Sequence, residues 1–163
     1  MTEIEPVALS NEEVARYSRH LIMPEVGMVG QLKLKAASVL CIGAGGLGSP
    51  VAMYLAAAGV GRIGIVDFDV VDHSNLQRQV LFDEKDVADR TPKAIAAADK
   101  LRRINSQITI EPVVADIDHT NIVGLTEGVD LILDGSDNFE VRFLINDASL
   151  ETGIPWIYAG VIG

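Results

Sequence analysis

Cysteine is almost absent from this chain: Cys41 is the only one among 163 residues. That excludes an intramolecular disulfide and a cysteine-built zinc site, and Cys41, inside an apolar run, reads as a small core residue. Positive charge is also scarce, with 13 Lys and Arg against 23 Asp and Glu and a formal net charge of -10. Such a surface repels nucleic acid and anionic membranes, so neither is expected as a partner. Any anionic ligand must be held by a local cluster of cations. No apolar run approaches the roughly 18–20 residues that span a bilayer, and the acidic N-terminus does not read as a signal peptide. Repeats and low-complexity segments are missing as well. What remains is a cytoplasmic protein of about one domain, long enough to bury a core. Its hydrophobic content of 48% suits strands buried on both faces.

Residues 1–9 read as a loose tail. Ser10 and Glu13 have the spacing of a capping box, which predicts a helix through about Met23 with Val14, Tyr17, Leu21 and Ile22 on its apolar face. After a break at Pro24–Gly27, a short helical run reaches about Ala36. From there the pattern alternates: strands at 38–43, 62–67, 107–114, 129–134 and 155–159, and helices at 46–58, 92–104, 118–125 and 138–152. Alternating β and α units predict an α/β fold, a Rossmann-like doubly wound, mostly parallel sheet with ligands outside the carboxyl ends of its strands.

The most telling stretch runs from Ala37 through Val39-Leu40-Cys41-Ile42 into Gly43-Ala44-Gly45-Gly46-Leu47-Gly48, with Asp67 nineteen residues beyond. A strand feeds a glycine-rich turn and then a helix of small residues, which makes a phosphate cradle. Gly43 allows the tight turn, Gly45 or Gly46 lets a phosphate approach the backbone, and Gly48 permits close packing of helix on sheet. The helix N-terminus adds free N–H groups and a positive dipole end. Asp67 closes the second strand, placed to accept hydrogen bonds from ribose hydroxyls. ATP and NAD both carry these, and the same position also suits a plain turn cap.

Further polar groups narrow the chemistry. Asn75, Gln77 and Arg78 follow the second strand and could converge on phosphates, and Lys93, in the first turn of the third long helix, could add a point charge. Two cations and a polar turn suit a reaction that expels pyrophosphate better than hydride transfer. Asp137 falls at the end of the fourth strand. A carboxylate beside a triphosphate repels it unless it holds Mg2+, although Asp137 or Asn138 could equally cap the next helix.

Taken together, Gly43 to Gly48, Asp67-Phe68-Asp69, Ser74-Asn75-Leu76-Gln77-Arg78-Gln79, Lys93 and Ser136-Asp137-Asn138 resemble the adenylation domain of the ThiF/MoeB family. These are bacterial relatives of the ubiquitin-activating enzymes. The resemblance extends from about Ser10 onward and is nearest to the molybdopterin-synthase adenylyltransferase branch. It implies an N-terminal helical arm (1–36) before an ATP-binding adenylation domain (37–163). It also implies that the Gly-Gly carboxylate of a ubiquitin-fold sulfur carrier attacks the α-phosphate of ATP, for molybdenum cofactor or thiamine synthesis. By the same resemblance, Gly43, Gly45, Gly46, Gly48, Asp67, Asp69, Ser74, Asn75, Gln77 and Asn138 belong to the nucleotide site. Arg78 and Lys93 hold phosphates, Asp137 binds Mg2+, and Arg19 reaches the ATP of the other subunit of a homodimer.

The chain also departs from that pattern. Family members continue past Gly163 into a second half of the sheet with paired C-x-x-C zinc motifs, absent here, so the sheet is expected to be incomplete at its C-terminal half. The run Val87 to Lys93 is longer than the usual approach, so Lys93 is expected to be displaced, with Arg90 as its substitute. His20, His73 and His119 read as surface residues. A truncated, catalytically idle module and an NAD-dependent oxidoreductase are the competing readings. The second leaves Asn75, Arg78, Lys93 and Asp137 without a common purpose.

Overall fold

The computed structural model describes residues 8–160, so most of the expected N-terminal tail (1–7) and the last three residues lie outside the described residues. Five strands form one all-parallel sheet: β1 (Ser38–Ile42), β2 (Arg62–Val66), β3 (Thr109–Val113), β4 (Leu131–Asp134) and β5 (Trp156–Ile157), in the order β3-β2-β1-β4-β5. The chain winds outward from β1 to β3, then returns to lay β4 against the other side of β1. This reversal opens a crevice between the loops that follow β1 and β4.

Alternation along β1 divides the core. Val39 and Cys41 point to one face, where α4 (Gly48–Ala58) and α6 (Lys93–Ile104) pack through Ala52, Ala56, Ala94, Ala97 and Leu101. Leu40 and Ile42 point to the other, covered by α7 (Ile122–Leu125) and α8 (Phe139–Thr152) through Ile122, Ile145 and Ala148. Alanine at the helix positions lets α4 and α6 sit close to the sheet, and the central strands are buried on both sides, as their continuous apolar runs require. No described helix is long and apolar enough to cross a membrane.

The N-terminal region differs from expectation. The capping box forms, with Ser10 Oγ accepting from Glu13 N and Glu13 Oε2 from Ser10 N. The single helix splits, however, into α1 (Asn11–Arg16) and α2 (Ser18–Leu21), before α3 (Gly27–Ala36). Tyr17 leaves helical geometry because its ring is drawn inward, where its hydroxyl accepts a 2.8 Å hydrogen bond from the buried Asn105. Of the four expected apolar-face residues only Tyr17 is buried. Val14 and Ile22 are exposed, so this face joins the core only through Tyr17. His20 is not a plain surface residue either: its Nδ1 lies 2.8 Å from Oε1 of the buried Gln31, whose Nε2 donates to Ala58 O. His73 and His119 are exposed, as expected.

Two short elements escape the periodicity. A 3-10 turn spans His73–Asn75, and α5 (Glu84–Ala88) is held to α6 by Lys100, which pairs with Asp83 and Asp86. They absorb the long approach to Lys93, with Arg90 turning the chain at a positive φ of 52°.

Candidate functional site

The glycine turn after β1 is built by close contact. Gly43 has a φ of 89°, and a Cβ there would stand 2.9 Å from Gly135 O; a Cβ on Gly48 would fall 1.9 Å from Gly43 O. Only glycine lets the turn, the start of α4 and the loop after β4 meet in this way. Among the described residues no side chain caps α4, whose N-cap is Leu47; Ser49 N donates to Gly45 O and Pro50 carries no N–H, so of the first three positions only Gly48 offers an N–H to a ligand.

Above this turn lies a cavity of about 1010 Å³, bounded by the ends of β1, β2 and β4 and the loop after β3. It gathers Gly43, Gly45, Gly46, Asp67, Asp69, Arg78, Lys93, Asp137 and Asn138 from the sequence-derived set. With Arg142 the wall carries three cations, Arg78, Lys93 and Arg142, beside the carboxylates of Asp67, Asp69, Asp116 and Asp137, so it offers basic groups to an anion without being positive overall.

Asp67 acts as both turn cap and cavity wall. Its Oδ2 accepts from Ala44 N at 2.8 Å and its Oδ1 from Asp69 N at 2.9 Å. Each oxygen keeps lone-pair capacity for a ribose hydroxyl. Burial pushes the Asp67 carboxyl above the usual carboxylate range, against the opposing pull of those two N–H groups and Lys93. Lys93 reaches the cavity. It opens α6, and its nearly buried Nζ lies 2.8 Å from Asp69 Oδ2, within the cavity. Arg90 does not substitute for it: it is exposed and stands outside the cavity wall.

Ser74, Asn75 and Gln77 do not line the cavity; they build the turn that carries Arg78. Asn75 Oδ1 accepts from Asp72 N, while Ser74 O accepts from Arg78 Nη1 at 2.9 Å and Gln77 Nε2 at 3.2 Å. Arg78 then lays its aliphatic stem against Gly46. Gly48 is likewise packing rather than lining. Arg19 is exposed on α2, away from the cavity of its own chain.

The choice of helix cap is resolved in favour of Asn138, whose Oδ1 accepts from Glu140 N at 2.8 Å. Asp137 is left exposed at the cavity with no ion pair among the described residues. No group of three or more His, Cys, Asp or Glu that could hold a metal occurs among the described residues. A lone carboxylate does fit Mg2+, which takes most of its oxygen ligands from phosphates and water.

Two cavity residues are given no role by the sequence: Arg142 stands outside the motifs, and Gln79 only closes the Ser74–Gln79 run. Arg142, one helical turn after Asn138, donates from Nε to the buried Asp134 at 3.1 Å and from Nη2 to Ser136 O at 3.1 Å and Ala159 O at 3.3 Å. Its guanidinium lies between the rings of Phe139 and Tyr158, with centroids at 5.0 and 4.7 Å. It therefore ties the Asp137 loop to the segment after β5. The only signal is an arginine four residues after a cap, in a segment dense with carboxylates. The second residue, Gln79, stands next to Arg78 and is buried.

The ThiF family model matches residues 17–163. The chain is 54% identical over 159 residues to a "Probable adenylyltransferase/sulfurtransferase MoeZ" of Mycobacterium tuberculosis, covering 97% of this chain and 40% of that protein. It is 44% identical over 152 residues to a "Sulfur carrier protein adenylyltransferase" of Thermus thermophilus, covering 93% and 55%. Among solved structures, E. coli MccB with ATP superposes with a TM-score of 0.78 at 32% identity, covering 90% of this chain and 44% of that one. The chain thus spans about half the length, or less, of these relatives. The sheet order, the glycine turn under the cavity and these matches lead to one conclusion: the chain belongs to the ThiF family.

Proposed function

We propose that this chain carries the ATP site of an adenylyltransferase that activates the C-terminal glycine carboxylate of a ubiquitin-fold sulfur-carrier protein, as in molybdenum cofactor or thiamine synthesis. The observation that carries this reading is the convergence of Asp67, Arg78, Lys93 and Asp137 on one cavity above an uncapped, glycine-built helix start. The names of the relatives support the same class of reaction.

In this reading the carrier carboxylate, already ionised at pH 7, attacks the α-phosphorus. The bond from that phosphorus to the bridging oxygen breaks, and pyrophosphate leaves with the electron pair. No protein group has to accept a proton. Arg78 and Lys93 stabilise the charge that builds on the leaving group, and Asp67 fixes the ribose so that attack is in line. Mg2+, when bound at Asp137, screens the triphosphate from the incoming carboxylate.

The arm (1–36) and the adenylation domain (37–163) divide the work: the arm is latched by Tyr17 to Asn105, and Arg19 on α2 serves the ATP of a second copy. Exposed Ile22, Met28, Val29 and Tyr54 offer apolar surface for such a homodimer. The test is ATP–pyrophosphate exchange with a ubiquitin-fold carrier ending in Gly-Gly. Exchange that depends on the carrier is expected. ATP binding without exchange favours the idle-module reading, in which this stretch binds nucleotide and does not complete the reaction.

A further inference from the structure

Gln79 is 4% exposed, yet its Oε1 finds no hydrogen-bond partner among the described residues. A buried carboxamide normally pairs both ends, and leaving one unmade is costly. The carboxamide lies against the cavity wall with Nε2 turned toward the glycine turn, 3.7 Å from where a Cβ on Gly45 would stand. Its neighbour Arg78 lies against Gly46 in the same manner. Two consecutive side chains thus cover two consecutive glycines, and the orientation that sacrifices the acceptor is the one that presents the donor.

We infer that Gln79 Nε2 donates a hydrogen bond to the α-phosphate of the nucleotide. This rests on the ATP reading above and extends it to the reacting group. Asp67, which would hold the ribose, is bonded to Ala44 N. The phosphate attached to that ribose therefore falls over Ala44 and Gly45, beneath Gln79, while the outer phosphates fall to Arg78 and Lys93. Phosphate oxygens only accept, so the amide end must be the contact. Gln79 then touches the phosphoryl group that the carboxylate attacks.

The test compares the parent with Gln79→Met, of similar shape and without polar atoms on the amide. Ligand-free Gln79→Met is expected to melt no lower than the parent, because an unpaired buried acceptor is gone. Its affinities for Mg-ATP and for AMP should both fall by about tenfold or more, the scale of a hydrogen bond to a charged group. Gln79→Glu, which puts a negative charge against the phosphate, should lose more. If Gln79→Met fails to fold, the Gln79→Glu titrations decide. Unchanged AMP affinity with weakened ATP overturns the assignment to the α-phosphate, and parent-like affinity for both overturns the contact. A parent that binds neither nucleotide overturns the ATP reading itself.

Discussion

Lys93 Nζ lies 2.8 Å from Asp69 Oδ2, with the lysine side chain nearly buried and the aspartate half exposed. The cation assigned to the phosphates is therefore held by an acid at the cavity edge. Asp69→Asn removes the partner of a desolvated ammonium. It is expected to lower stability by about 1 kcal/mol, a value kept small because water screens the exposed carboxylate. Phosphates would replace the lost charge, so Mg-ATP should raise the melting temperature more in the variant than in the parent. Equal shifts would show that Lys93 does not meet the triphosphate.

Asp137 makes no ion pair among the described residues, and Asn138 carries the helix cap. Asp137→Ala should abolish magnesium-dependent ATP binding while stability stays within about 0.5 kcal/mol of the parent, as for an uninvolved surface site. Titration with and without Mg2+ checks this. A variant that binds Mg-ATP like the parent would remove the metal role.

Arg142 compensates a carboxylate that is almost wholly buried, Asp134. Arg142→Met leaves Asp134 with only the two hydrogen bonds that its Oδ1 accepts from Ser136 N and Oγ, and is expected to cost about 2–3 kcal/mol. Urea denaturation should also show most of the loss recovered in the Asp134→Asn, Arg142→Met double variant. A single variant as stable as the parent would mean that the ion pair holds nothing together.

Asp67 titrates above the usual carboxylate range because of its burial. Its folded value is raised, so its contribution to fold stability is full below the unfolded value and lost as pH rises through the folded one. Ribose hydroxyls need the ionised form as acceptor, so ATP affinity should weaken as pH falls through the same window. Calorimetry over a pH series running downward from about 7.5 should show a steeper fall for the parent than for Asp67→Asn, since the titration of ATP itself is common to both. Parallel profiles would free Asp67 from ribose binding.

Cys41 is buried in β1, and desolvation pushes its thiol up to about 12. It should react with a thiol reagent only as fast as the protein unfolds. Rapid labelling of the folded chain would contradict the core position.

The sheet was legible because buried parallel strands are continuous apolar runs such as Val39 to Ile42, and the glycine turn because Gly43 and Gly48 leave no room for a Cβ. The split at Tyr17 was not, since it depends on Asn105, which is distant in sequence. Nor was the standing of Ser74, Asn75 and Gln77. Their polarity signals a site, but their bonds go to Asp72, to one another and to Arg78. Arg142 escaped because a helical arginine looks like solvated surface until the loops close over it, and Gln79, though part of the Ser74–Gln79 run, shows its burial only in the fold.

The most direct measurement is a calorimetric titration of the chain with Mg-ATP, run beside one with NAD. Binding of Mg-ATP that Lys93→Ala weakens at least tenfold, with no binding of NAD, is the result expected of a site whose cations serve a triphosphate. Binding of NAD alone would contradict it.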